Sequence, residues 1–167
     1  GRIEAQSSLP VNLGNVRAVN ALTGLGAVDV YLDNELIAYN LPPEQASAYL
    51  VFPTGVHNLI FRLTGSDALS TPVAVGLFEL SANQSQTGIA YQTRFATADA
   101  AQSAEQSGSV LFLNDDRSPL QLGKTRVTAV HLAPGTPELL SIGYPSRAAL
   151  LYQIPLEQPY GAIDVDA

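Results

Sequence analysis

The chain repeats itself, and this constrains its fold more than any other feature. Val16-Arg-Ala-Val-Asn20 returns at Val127 as Val-Thr-Ala-Val-His131. Tyr39-Asn-Leu-Pro-Pro-Glu-Gln45 returns at Tyr152 as Tyr-Gln-Ile-Pro-Leu-Glu-Gln158. Val16 to Val127 is an offset of 111 and Tyr39 to Tyr152 an offset of 113, so the blocks keep their spacing apart from a small insertion. A period of this length belongs to a domain and not to a solenoid unit. A second copy needs about another hundred residues by the same measure, and the sequence stops at Ala167. The expectation is one complete unit and a partial second one whose missing strands something else supplies.

Alternation identifies the elements. Val28, Val30 and Leu32 alternate with Asp29, Tyr31 and Asp33, the pattern of a half-buried strand. Asp33-Asn34 tolerates positive φ and predicts a tight hairpin into Glu35–Ala38. Leu59, Phe61 and Leu63 alternate in the same way after the turn signal Pro53-Thr54-Gly55. Val73 to Leu80, Ile89 to Phe95 and Val110 to Leu113 are further strands. Ala96 to Gln106 is the only helix-friendly stretch, and it reads as a loop with at most one helical turn because no apolar stripe runs through it. Short strands separated by Pro, Gly, Asn and Asp predict an all-β fold, an antiparallel Ig-like β-sandwich. The predicted organisation is an N-terminal arm over 1–15, a first sandwich over 16–113, a linker over 114–124 and a partial second unit over 125–167. Val28, Val30, Leu32, Leu59, Phe61 and Leu63 are expected inward.

Composition excludes several functions. Eight Lys plus Arg against fifteen Asp plus Glu give a net charge of −7, and the cations are scattered. Neither a nucleic-acid backbone nor an anionic membrane surface suits such a chain. Cysteine is absent, which removes disulfides, thiolate zinc sites and Cys nucleophiles. No apolar run approaches the roughly 20 residues of a spanning helix. Methionine is absent even at position 1, and the expectation is a start at a processing or fragment boundary.

The opening Val16-Arg-Ala-Val-Asn, a small-residue turn, and Ala27-Val-Asp-Val-Tyr-Leu-Asp33 resembles that of the bacterial domain of unknown function DUF4397. Leu113-Asn-Asp-Asp-Arg-Ser-Pro, followed by Gly123-Lys-Thr-Arg-Val-Thr-Ala-Val-His-Leu-Ala-Pro-Gly-Thr-Pro137, is similar to the join between tandem copies in that family. Pro53-Thr54-Gly55 matches its Pro-Ala-Gly turn. The resemblance implies secreted or surface-attached β-sandwich modules of a prokaryote and carries no catalytic residues. The chain departs from the pattern in places. The family His is Asn20 in the first unit and His131 in the second, Leu140 stands opposite Asp29, and Gly143 opposite Leu32.

No motif carries recognisable chemistry. His57 and His131 lie in different units and read as an exposed strand His and a strand-end His bonding a turn, not as metal ligands. Asn114-Asp115-Asp116 lacks the spacing of a calcium loop and reads as a solvated turn. Asp164 and Asp166 alternate on a terminal strand and face water. Ser146 has no nucleophile elbow, and Gly24-Leu-Gly26 opens no phosphate loop. Tyr31, Tyr39, Tyr49, Tyr91, Tyr144, Tyr152 and Tyr160 are spread through the chain, which suggests buried rings with hydroxyls at the rim and not a sugar platform. Asn83-Gln84-Ser85 fits a glycosylation acceptor. The expectation is therefore no enzyme, and no catalytic, cofactor or metal residues.

What remains is assembly. A half sandwich leaves strand edges open, and open edges pair with other chains. Ile3, Leu9, Val11 and Leu13 share one alternating face of the arm, the pattern of a strand that could be donated. Ile163 and Val165 belong to an apolar strand that needs cover. The expected function is a non-enzymatic extracellular structural or interaction module that self-assembles through strand donation, its partners being other protein chains. The alternative is a carbohydrate- or ligand-binding module of a cell-surface complex, and an outsider is a hydrolase accessory domain.

Overall fold

The computed structural model describes residues 12–92, 108–133, 139–143 and 149–167. Their regular structure is entirely β. The first part holds β1 (Leu13–Ala21), β2 (Val28–Leu32), β3 (Glu35–Leu41), β4 (Gln45–Ala46), β5 (Leu50–Pro53), β6 (Gly55–Leu63), β7 (Ala74–Leu80), β8 (Ser85–Gln92) and β9 (Gly108–Asn114). One sheet places β4 and β5 on one edge of β1, then β8 and β9 on the other. The second runs β3-β2-β6-β7. Their inner faces form one core that includes Val16, Ala18, Val28, Val30, Leu32, Leu59, Phe61, Leu80 and Ala90.

Alternation determines which side chains enter that core. In β1, residues Val16, Ala18 and Asn20 are buried and their neighbours are half exposed. All six positions expected inward on β2 and β6 lie in or against the core. Close approach of the sheets demands glycine at Gly88, where an added Cβ would sit 2.2 Å from Leu59 Cδ2. Asp33 takes φ 53° in the β2–β3 hairpin, as its residue type predicts. One pairing departs from the antiparallel expectation: β1 and β8 run parallel, in register from Asn15↔Ser85 to Ala21↔Tyr91. That pairing makes β8 a central strand, and it is buried along its whole length. Burial raises the Tyr91 phenol above its ordinary value, and so does the charge of Glu157, which brings the C-terminal region near this strand.

That region holds β10 (Lys124–Val127), β11 (Leu139–Gly143), β12 (Ala149–Pro155) and β13 (Ile163–Asp166). β10 pairs with β13, and β11 with β12, both antiparallel. Ala129, Leu151 and Ile154 form a small core, with Tyr160 and Ile163 packed against it. The β10–β13 pairings reproduce those of β1 with β5 at the offsets of the sequence blocks, and the β11–β12 ladder reproduces β2–β3 with β11 one residue further on, Val28↔Leu41 corresponding to Leu140↔Ile154. Leu13↔Pro53 and Val16↔Leu50 in the first part correspond to Lys124↔Asp166 and Val127↔Ile163 in the second. Val19↔Ala46 corresponds to Val130↔Pro159. The amide of Glu44 donates to the Asn20 carbonyl at 2.7 Å, and that of Glu157 to the His131 carbonyl at 2.8 Å. Asn40 and Glu44 take φ of 53° and 63°, and Gln153 and Glu157 take 50° and 57°. Both hairpins join a strand of 5 residues to one of 7.

The two parts differ in what flanks them. β2 has β6 on its second edge, and β1 has β8. Among the described residues, β11 and β10 carry no strand in those places. The helix-friendly Ala96–Gln106, the Thr93–Phe95 end of the expected strand, and Ile3, Leu9 and Val11 of the arm lie outside the described residues.

Candidate functional site

The residues that carry the family-like motif fasten the sandwich together. Asn20 is fully buried at the end of β1. Its Nδ2 donates to the carbonyls of Gly26 (3.1 Å) and Leu41 (3.0 Å), and its Oδ1 accepts from Leu22 N (3.1 Å). Asp29 Oδ1 accepts from Asn40 N and from Thr64 Oγ1, both at 2.9 Å, which anchors the bulge in β3 to the end of β6. In the second region His131 is also buried, and its Nδ1 accepts from Ala133 N at 3.4 Å. The bond reaches two residues on, as it does from Asn20 to Leu22.

His57 is not the exposed strand residue expected. It lies half-buried at the end of the sandwich, its ring centroid 6.4 Å from Phe52 and 5.8 Å from Phe78. Its inward position on β6, in phase with Leu59 and Phe61, is the reason. Nδ1 lies 2.9 Å from Asp33 Oδ2, and Nε2 lies 2.8 Å from the Pro53 carbonyl. Two acceptors at the two ring nitrogens favour the imidazolium. Burial pulls the His57 pKa down, but the Asp33 hydrogen bond, the Pro53 carbonyl and the Asp33 charge outweigh it and raise the value above 6.5. Burial likewise pulls Asp33 up, while Asn58 N–H and His57 bring it below 3.8 overall.

Asp115 is not in a solvated turn either. Its Oδ2 accepts from Tyr49 Oη at 2.8 Å and from Thr87 Oγ1 at 2.5 Å. Arg17 Nε donates to Thr87 Oγ1 at 2.8 Å, and its NH2 group lies 4.0 Å from Asp115 Oδ1. The guanidinium carbons of Arg17 and Arg117 sit 4.6 and 5.0 Å from the centre of the Tyr49 ring. Burial and then the bond to Asp115 push the Tyr49 hydroxyl up. This cluster ties β1, β8 and the link after β9 to the turn before β5. Its members are far apart in sequence, so no local signal marks it.

Asp164 and Asp166 face outward from β13, and each meets a cation across the ladder. Arg126 Nε and NH2 bind the two oxygens of Asp164 at 2.8 and 3.0 Å, and Lys124 Nζ binds Asp166 at 2.6 Å. Arg126 NH1 also reaches Asp116 at 2.9 Å, which joins the link to β10. Ile163 packs against the small core, and both Ile163 and Val165 lie on a strand paired with β10. Leu13 opens β1 within the sandwich, opposite Pro53, so it is not part of a free arm. Among the described residues no group of three or more His, Asp or Glu is placed to hold a metal. No helix there is long and apolar enough to cross a membrane. Gly24 and Gly26, with φ of 76° and 83°, shape the β1–β2 turn. Ser146 lies outside the described residues.

Among the described residues lies a cleft large enough for a ligand. It has a volume of about 740 Å³ and opens between the β7–β9 side of the sandwich and the C-terminal region. Phe78, Phe112 and Gln86 lie on one side, and Thr128, Pro159 and Tyr160 on the other. Phe78 and Phe112 are stacked, with centroids 4.7 Å apart.

The fold and these fastenings define an all-β sandwich domain built on two motif-bearing hairpins. The chain belongs to a family described as a domain of unknown function, DUF4397, whose model matches residues 14–140. The match runs from β1 through the link and into β11. No curated protein matches the chain.

Proposed function

We propose that the protein is a non-enzymatic structural or interaction module, secreted or displayed at a prokaryotic cell surface, that assembles by strand addition. In this reading residues 124–166 are a partial second copy of residues 13–53, and the places of β6 and β8 in that copy are taken by strands of another chain. The observation that carries it is the pair-for-pair correspondence of β1–β5 with β10–β13, set beside the edges of β10 and β11 that carry no strand among the described residues. An unpaired apolar edge invites pairing with another chain. Leu139, Leu140, Ile142 and Leu150 are exposed on the β11–β12 hairpin and give an incoming strand apolar surface to cover. The donor is the arm before Asn12, where Ile3, Leu9 and Val11 share one alternating face. Head-to-tail pairing of this kind produces a filament, or a ring where the geometry closes.

Deletion of residues 1–11 tests the reading and leaves β1 intact. Sedimentation of the full chain should show concentration-dependent assembly, and the deletion variant should remain monomeric with the circular dichroism of a β-protein. A full chain that stays monomeric at millimolar concentration, or a deletion variant that assembles equally well, rules out donation by the arm. The second reading, a carbohydrate- or ligand-binding module, is favoured by the 740 Å³ cleft.

A further inference from the structure

The cleft combines apolar and polar walls in a way that restricts its occupant. Its volume of about 740 Å³ falls within the roughly 300–1,000 Å³ of small-molecule sites. Phe112, partly exposed and stacked on the buried ring of Phe78, supplies an apolar surface on the sandwich side. Tyr160 supplies another from the C-terminal region, where it is held against the small core. Neither region forms the cleft alone.

The polar groups include both acceptors and donors. Gln86 is only 7% exposed. Its Nε2 donates to the Glu79 carbonyl at 3.0 Å, which fixes the orientation of the carboxamide. Its Oε1 is closed off from solvent and accepts no hydrogen bond among the described residues. Buried polar atoms in folded proteins nearly always have a partner, so this one is an exception that a ligand hydroxyl would resolve. Asp116 adds a carboxylate, but Arg126 at 2.9 Å and Ser118 N at 2.9 Å already occupy it. Asn114 accepts from Gln84 Nε2 and has an Nδ2 amide left to donate. Thr128 can do either.

An occupant must therefore have apolar faces for the rings, polar groups that can both donate and accept, and little net charge. An anion would approach a chain of net charge −7. A cation would find Asp116 already neutralised by Arg126. A hydrocarbon chain would leave Gln86 Oε1 without a partner. We infer that this cleft binds a neutral carbohydrate, with pyranose C–H faces against the aromatic walls and hydroxyls toward Gln86, Asn114 and Thr128. The inference rests on the ligand-binding reading and gives it a site and a ligand class.

The test is amide and side-chain NMR of the full chain, titrated separately with maltotriose, cellotriose, chitotriose and N-acetyl-tyrosinamide. At least one sugar should give saturable shifts at the Gln86 carboxamide, Asn114, Thr128 and Tyr160, and leave Val28 and Phe61 unmoved. Tyr160→Ala should weaken that binding at least tenfold, and Thr128→Val, a milder change at the mouth, at least threefold. If Tyr160→Ala disturbs the fold, the Thr128→Val result decides. If N-acetyl-tyrosinamide shifts these residues and no sugar does, the cleft binds ligands but the carbohydrate assignment is wrong. If no probe shifts them, the assignment and the ligand-binding reading both fall.

Discussion

β2 and β11 occupy corresponding places in the chain and meet opposite fates. Val28 and Val30 of β2 are 0% exposed, because β3 and β6 flank the strand and β1 and β8 cover its face. Leu139 and Ile142 of β11 are 52% and 48% exposed, although β12 pairs with the strand much as β3 pairs with β2. A hairpin therefore does not make a core by itself. Burial comes from the second sheet and from the far-edge neighbour, the parts a two-stranded unit lacks. The motif follows the same division. Asp29 accepts from both Asn40 N and Thr64 Oγ1, whereas the β11–β12 register puts Ser141, and not the Leu140 expected from sequence, in its place, where the hydroxyl meets Gln153 N at 3.5 Å.

Core truncation should separate the two regions most sharply. Phe61→Ala removes a fully buried ring and should cost about 3–5 kcal/mol. Leu139→Ser, on the open strand, should stay within about 0.5 kcal/mol in the monomer. Urea denaturation followed by circular dichroism measures both, and a Leu139→Ser cost near that of Phe61→Ala would mean that β11 is covered after all. Gly88→Val comes next. It forces a side chain into the space of Leu59 and Phe112, at about 1–3 kcal/mol or more. The second region should be insensitive to it, which NMR shifts around Leu151 and Ile154 would show. Asn20→Ala leaves the Gly26 and Leu41 carbonyls and the Leu22 amide without their partner, at about 1–3 kcal/mol. If that variant melts with the wild type, the buried Asn20 is not a fastening.

The smallest effect is a pH dependence confined to the first sandwich. The His57 pKa is raised above 6.5 on folding, so its contribution is complete below about 6.5 and is lost as pH rises through the raised value. The Asp33 pKa is lowered below 3.8, so its contribution is complete above about 3.8 and is lost as pH falls through the lowered value. The pair therefore contributes fully between these limits. Asp33 is largely exposed, so solvent screening keeps the whole effect below about 1 kcal/mol. Wild type should lose slightly more stability than His57→Gln between pH 6 and pH 9. Parallel losses would show that the imidazolium contributes nothing.

Much of the first sandwich was legible because its strands obey local rules. Val28, Val30 and Leu32 alternate cleanly, and Asp33 marks its own hairpin. The parallel pairing of β1 with β8 was not legible, since nothing in Val16–Ala21 indicates which distant strand it will join. Asp115 reads as solvated in sequence because its partners, Tyr49, Thr87 and Arg17, arrive from far along the chain. His57 reads as exposed because a polar residue on an alternating strand is usually placed outward, whereas here Asp33 and Pro53 make an inward position affordable. The cleft left no local signal at all, since its walls come from both regions.

The parallel pairing also has a kinetic consequence. Asn15 and Ser85, at one end of the β1–β8 ladder, are 70 residues apart. At synthesis rates of about 5–20 residues per second, β1 waits roughly 4–14 s for its central partner to be made. Until then one of its edges is bare, and only β4 and β5 can pair with it. Such long-range closure slows folding. During synthesis the first unit therefore passes through a stage with the pairings of the C-terminal region: β1 with β4 and β5, and β2 with β3. The ladders of the C-terminal region, β10 with β13 and β11 with β12, are thus of the kind that β1–β5 can form before β6 and β8 arrive.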